Sequence, residues 1–167
     1  KKYLNSFKIN VSGDPSSAAF FVALTLLNKK SKLTIKNVGL NPTRIGFFEI
    51  IKKAGAKIKL KNIKKTNNEI FGDVLVQSSN LRPLNTPTSS YMKCVDEFPI
   101  MFVIAALTPG MSVFRVNAEN LKNKESDRIL EMQKVLEQIG IKIKVNKNII
   151  KIFGKPRNKL LNKSIKI

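Results

Sequence analysis

An α/β (α+β) fold built from repeated β-α-β-α-β-β units is what the sequence predicts, and three observations carry that expectation. Two apolar runs of helical length, Ser17–Leu27 and Pro99–Leu107, occupy corresponding places in the two halves of the chain. Each is followed by an alternating strand pattern, Lys32-Leu33-Thr34-Ile35 in one half and Ser112-Val113-Phe114-Arg115-Val116 in the other. An amphipathic helix then ends at a glycine in both halves, Gly55 and Gly140, the residue that most readily closes a helix C-terminus. Internal recurrence of this kind is the first organisational signal to read in a chain.

The elements follow in order. Unit one is read over 7–80. A strand leads to Ser12-Gly13-Asp14-Pro15-Ser16-Ser17, where Asp14 suits an N-cap and Pro15 the first helical position. The apolar helix closes near Asn28-Lys29-Lys30 and the first alternating strand follows. The second helix begins at Asn41-Pro42-Thr43-Arg44, with Arg44 in its first turn. Strands at Lys57–Leu60 and Asp73–Gln77 complete the unit.

Unit two is read over 85–155. Asp96-Glu97-Phe98-Pro99 opens its first helix, with Asp96 able to cap and Pro99 in the first turn. The helix closes at Thr108-Pro109-Gly110. The second helix starts at Glu125-Ser126-Asp127-Arg128 and places Ile129, Met132, Leu136 and Ile139 on one stripe. Strands at Lys142–Val145 and Ile149–Phe153 end the unit. The tail, 159–167, ends in Ser164-Ile165-Lys166-Ile167 and reads as the first strand of a third unit. A repeat that stops one strand in implies a chain cut short; an ordinary C-terminal edge strand is the other reading.

Composition excludes much. The chain has 167 residues, suited to one domain. It holds no His, no Trp and one Cys, Cys94. Ser–His–Asp triads, Cys–His pairs, His metal sites and internal disulfides are therefore ruled out. Acid–base chemistry falls to Asp, Glu, Lys or Tyr. The longest apolar runs, Ala18–Leu27 and Phe98–Leu107, fall short of the ~18–20 residues of a membrane span. Lys1–Lys8 carries no signal-peptide core. A cytoplasmic protein without a membrane partner is expected.

The formal charge is +20, from 31 basic and 11 acidic residues. An anionic partner is one reading; compositional drift is the other. Only five of the basic residues are Arg, and the Lys residues often alternate with apolar ones, as in Lys57-Ile58-Lys59-Leu60. Alternation spreads them along the wet face of strands. Nucleic acid is not expected as the partner.

Lys124-Glu125-Ser126-Asp127-Arg128 is the motif hardest to explain by structure alone. Two cations at a helix start oppose the helix dipole, and an anionic ligand would account for them. A solvated ion cluster is the plainer account. Asp96, Glu97, Glu119, Glu125 and Asp127 are five of the eleven acids and lie close together in sequence. A carboxylate pair beside Lys and Arg can do proton-transfer work on an anionic substrate.

At these motifs the chain resembles the EPSP synthase (3-phosphoshikimate 1-carboxyvinyltransferase) family. The matching stretches are Ser12–Phe20 (SGDPSSAAF), Asn41–Arg44 (NPTR), Asp96–Ile100 (DEFPI) and Lys124–Arg128 (KESDR), in the family's order. The resemblance implies the enolpyruvyl transferase inside-out barrel, two domains of three such units each. Residues 1–167 would then be one partial enolpyruvyl transferase domain, about two-fifths of a family member.

The implied reaction is transfer of the enolpyruvyl group of phosphoenolpyruvate to the 5-hydroxyl of 3-phosphoshikimate, with release of phosphate. It belongs to the shikimate pathway of aromatic amino acid biosynthesis, and it needs no cofactor and no metal. By resemblance, Asp96 contacts the reacting hydroxyl and takes a proton-transfer role, and Glu125 serves proton transfer at the phosphoenolpyruvate methylene. Lys124 contacts 3-phosphoshikimate, Arg128 binds the phosphoenolpyruvate anion, and Asn120 sits where some members touch 3-phosphoshikimate. Asp14, Ser16 and Arg44 match family positions read as architectural.

The family's lysine-serine motif, its Ser-Ala-Gln-type loop, the arginines of the other domain and the aspartate-histidine-arginine segment of the third unit are absent from the chain. The missing half of the enzyme is thus an implied partner. Closing two domains on substrate can supply ~7–11 kcal/mol of the barrier, so the chain alone is expected to be inactive. Two alternatives stand beside this reading. One is a fragment of the UDP-N-acetylglucosamine enolpyruvyl transferase, which lacks the KESDR pattern; the other is a non-catalytic basic binding module.

Overall fold

The structure, a computed structural model, describes residues 6, 9, 11–116 and 128–160. Four helices, α1 (Pro15–Leu27), α2 (Gly46–Lys53), α3 (Phe98–Ala106) and α4 (Arg128–Gln138), alternate with seven strands among the described residues. The strands are β1 (Lys32–Gly39), β2 (Lys57–Thr66), β3 (Glu69–Gln77), β4 (Asn85–Thr86), β5 (Gly110–Arg115), β6 (Lys142–Asn146) and β7 (Ile149–Gly154). They form two sheets, β1-β3-β2 and β4-β5-β7-β6. All neighbours are antiparallel except β4 and β5.

Local chemistry sets the start of α1. The Asp14 carboxylate accepts from the Ser17 backbone N–H at 2.8 Å, and Pro15 occupies the first turn. Such a cap is worth about 1 kcal/mol. Ala18, Ala19, Val22, Ala23 and Leu26 bury one side of α1 against β1 and α3, while Phe20, Phe21 and Leu24 stay exposed. On α4, Ile129 and Leu136 are buried and Met132 packs against the same core, so three residues of the predicted stripe fall on the helix. Ile139, just past its end, joins the core as well.

The strands run further than the alternation predicts. β2 and β3 extend to a two-residue turn at Asn67-Asn68, both with positive φ (50° and 63°). Asn tolerates this left-handed backbone, which the tightest hairpins require. Lys147-Asn148 makes the corresponding turn between β6 and β7. Two bulges interrupt the first sheet, at Asn37 and Asn62, where the register shifts. Asp73 on the central strand holds both, accepting from the Asn37 N–H at 3.1 Å and the Asn62 amide at 2.7 Å.

The core is continuous across both sheets. Around α3, Phe98 and Phe102 each stand edge-on to Phe114 of β5, at 6.1 and 4.9 Å between ring centroids. Tyr91 tilts against Phe98 from the other side at 5.4 Å.

Two boundaries differ from expectation. Asn41–Arg44 is a turn, closed by Arg44 N–H on the Asn41 carbonyl at 2.8 Å. Helix α2 starts only at Gly46, so Arg44 precedes the helix instead of lying in its first turn. Asp96 does not cap α3. It sits in a 3-10 turn, Val95–Glu97, that runs straight into the helix, and its carboxylate turns to Arg128. The strand expected before Ser12 lies largely outside the described residues, though Gly13 bridges Val38 in parallel. The segment 125–127 and the tail 161–167 lie outside them too.

Candidate functional site

The N-terminus of α1, the turn before α2 and the Val95–Glu97 turn meet at one place. Arg44 reaches from its turn to Asp14 (Nη2 to Oδ1, 3.3 Å) and to the Ser16 hydroxyl (3.0 Å). That hydroxyl in turn donates to the Glu97 carboxylate. Asp96, the neighbour of Glu97, accepts from Arg128 at the start of α4 (Nη1 to Oδ1, 3.2 Å). The Asp96–Arg128 pair is partly exposed, while Glu97 is only 3 % exposed. Consecutive carboxylates therefore face different surroundings, one reachable by a ligand and one inside.

Of the site residues expected from sequence, the structure brings Asp96 and Arg128 together. Asn120, Lys124 and Glu125 lie outside the described residues. Glu97, Ser16 and Arg44 were not among the expected site residues, yet they back the Asp96 turn directly. The Asp-Glu pair in DEFPI was the available signal. What it lacked was any indication of which carboxylate points inward.

Charge at the site follows from these contacts. Partial burial works against ionisation of Asp14. The hydrogen bonds from Ser17 and from the Ser16 N–H outweigh it and, with Arg44, hold the carboxyl below its ordinary value. Burial pushes the Glu97 carboxyl up, opposed by the Ser16 hydrogen bond and Arg44 and reinforced by Asp96.

The folded state thus keeps a proton that the unfolded state has released. Stability is expected to fall as pH rises from the ordinary Glu value of 4.5 through the raised folded value. Glu97→Gln removes this dependence. The variant is expected to gain stability relative to the parent over that window, read by urea unfolding between pH 4 and 8. A pH-independent difference would contradict it.

Cys94 is buried next to this turn, with its Sγ donating to the Ser90 carbonyl at 3.1 Å. Burial, with the nearby Glu97 and Glu49 charges, pushes its thiol up to about 12. A thiol so protonated is a poor nucleophile. Native protein is expected to resist iodoacetamide at pH 8 and to be labelled only after unfolding, as mass spectrometry would show.

Among the described residues no cluster of three His, Cys, Asp or Glu side chains is placed to hold a metal ion. An open groove of about 860 Å³, lined by Lys53, Arg82 and Arg115 among others, includes neither Asp96 nor Arg128. Among the described residues no helix is long and apolar enough to cross a membrane.

The chain matches the profile of the EPSP synthase (3-phosphoshikimate 1-carboxyvinyltransferase) family over residues 1–164. It is 41% identical over 152 residues to a 3-phosphoshikimate 1-carboxyvinyltransferase of Thermodesulfovibrio yellowstonii, covering 90% of this chain and 35% of that protein. Against the counterpart from Petrotoga mobilis the identity is 39%, over 92% of this chain and 35% of the relative. The fold superposes on EPSP synthase from Acinetobacter baumannii with a TM-score of 0.83 and 34% identity, over 88% of this chain and 33% of that one. The enolpyruvyl transferase fold read from the sequence is thereby established. The matched part of the chain spans about a third of the length of these curated relatives. It belongs to the EPSP synthase family.

Proposed function

We propose that the chain contributes part of the active site of an enzyme that transfers the enolpyruvyl group of phosphoenolpyruvate to the 5-hydroxyl of 3-phosphoshikimate, releasing phosphate. The observation that carries this reading is the Asp96–Arg128 ion pair at 3.2 Å, which joins the two motifs of the chain that match the family's acidic and basic site segments. In this reading the 5-hydroxyl attacks C2 of phosphoenolpyruvate while C3 takes up a proton, and the tetrahedral intermediate then expels phosphate. Asp96 handles the hydroxyl proton and Glu125 the methylene proton. Positioned acids and bases of this kind contribute ~10²–10⁴-fold.

Arg128 binds the phosphoenolpyruvate anion, and Asp96 fixes the direction of its guanidinium. Planar, permanently charged guanidinium suits carboxylate and phosphate geometry. Lys124 and Asn120 contact 3-phosphoshikimate. The units 7–80 and 85–155, with 159–167 opening a third, would make up most of one domain, and the remaining length of the enzyme would supply the rest of the cleft.

Phosphate release from phosphoenolpyruvate in the presence of 3-phosphoshikimate tests the reading. Two proteins are compared: the chain alone, and a full-length protein in which the chain replaces the matching segment of the Thermodesulfovibrio yellowstonii relative. The chain alone is expected to be silent and the full-length protein to turn over, with activity abolished by Glu125→Gln. A silent but folded full-length protein would overturn the reading.

A further inference from the structure

Asp96 and Glu97 are neighbours in one short turn, but they are held from opposite sides. Asp96 is held from α4 by Arg128 at 3.2 Å. Glu97 is held from α1 and the turn before α2, through a directional series of donors. The Arg44 guanidinium donates to the Ser16 hydroxyl at 3.0 Å, and the Ser16 hydroxyl donates to the Glu97 carboxylate. Each link has its own anchor. Arg44 is also paired with Asp14, and Asp14 is bound to the Ser17 N–H. The Arg44 N–H closes its own turn on the Asn41 carbonyl at 2.8 Å. The Glu97 N–H is bound to the Cys94 carbonyl at 3.1 Å.

A carboxyl group buried in this way is costly. An apolar side chain of similar volume would fill the space at less expense. What an apolar side chain cannot do is fix direction. Hydrogen bonds to a carboxyl oxygen are directional, and a working site needs its groups held to within about 0.5 Å. The backbone of a 3-10 turn carries both side chains, so fixing one fixes the other.

We propose that Glu97 is a positioning residue, which clamps the Val95–Glu97 turn to the N-terminus of α1 through Ser16 and Arg44 and so directs the Asp96 carboxylate onto Arg128. The inference rests on the reading above that Asp96 and Arg128 act on the substrates, and it deepens that reading by adding the group that aims them.

Two measurements test it. The first uses the chain itself and reads the Arg128 guanidinium N–H signals by NMR, which report its pairing with Asp96. Asp96→Asn is expected to shift them, and Glu97→Ala to shift them in the same way. Glu97→Gln, whose amide oxygen still accepts from Ser16, is expected to leave them in place. Ser16→Ala, a milder change, is expected to reproduce the Glu97→Ala shift and serves if Glu97→Ala does not fold. Signals unchanged in Ser16→Ala and Glu97→Ala would overturn the positioning role.

The second measurement uses the full-length protein described above. Misplacing a reacting group by about 1 Å can cost about 10²-fold, so Glu97→Ala is expected to lower kcat by about 10–100-fold with KM changed less than about threefold. Glu97→Gln is expected to restore kcat to within about threefold. Asp96→Asn separates the two claims. If it leaves kcat intact, the catalytic reading fails, while the NMR result still judges the clamp. If it lowers kcat and Glu97→Ala does not, the clamp alone fails.

Discussion

Asp96→Asn, introduced into the full-length protein carrying this chain, is expected to slow phosphate release by about 10²–10⁴-fold, the usual contribution of a positioned acid or base. The substitution is chosen because the amide keeps the size of the carboxylate and an oxygen that can accept from Arg128, which lies 3.2 Å away. The Val95–Glu97 turn and its anchors are left in place. The loss is therefore expected in kcat, with KM for phosphoenolpyruvate changed by no more than about threefold, the pattern of an interaction made mainly in the transition state. Steady-state kinetics with both substrates varied makes the measurement. A variant retaining more than a third of parental kcat would remove Asp96 from proton transfer. A large rise in KM at unchanged kcat would assign it to binding alone.

Gly154→Ala is expected to be the most destabilising single-methyl change in the chain. Gly154 closes β7 where that strand crosses the end of α3. A Cβ there would lie 2.0 Å from the Thr108 carbonyl oxygen and 2.1 Å from that of Ala105. Both are backbone atoms, and neighbouring groups are committed: the Thr108 N–H is bound to the Ala105 carbonyl and the Lys155 N–H to the Ala106 carbonyl. Relief would require β7 to move away from α3, drawing its own buried Ile150 and Ile152 out of the core.

Overpacking in a filled interior costs about 1–3 kcal/mol and more when backbone must move. A loss of at least ~3 kcal/mol is expected, a large share of the ~5–15 kcal/mol that stabilises a typical domain. Gly55→Ala is the control. Gly55 has φ +102° but open space, with the nearest atom, the Asn80 carbonyl oxygen, 3.6 Å from the added Cβ. Its cost is left-handed strain alone, about 1–2 kcal/mol. Urea unfolding of both variants checks the order, and Gly154→Ala falling below Gly55→Ala would refute the steric argument.

These cases show where sequence reading succeeds and where it stops. The Asp14-Pro15 start of α1, the glycines after α2 and α4, and the Ile129–Leu136 stripe were legible because caps, helix ends and amphipathic faces depend on residues within a turn or two of each other. The Asn67-Asn68 hairpin was equally local, but the shorter alternation on either side of it hid the true strand lengths. The four family-like motifs were legible as strings, and they led to the family and the enolpyruvyl fold.

Within the candidate site the division is sharper. The cations at the start of α4 called for explanation on local grounds, whereas Asp96 read locally as a helix cap and was singled out as a site residue by the family resemblance. Nothing local could show that the two meet at 3.2 Å, that Asp96 gives up capping α3 to make that pair, or that Glu97 turns inward to Ser16. Those contacts join residues 32 and 81 positions apart. They exist because α3 packs against both α1 and α4, which brings the start of each helix near the Val95–Glu97 turn. Helix caps and strand alternation were thus determined by neighbouring residues. Which carboxylate is buried, and which pairs with Arg128 in partly exposed surroundings, was decided by how those helices pack.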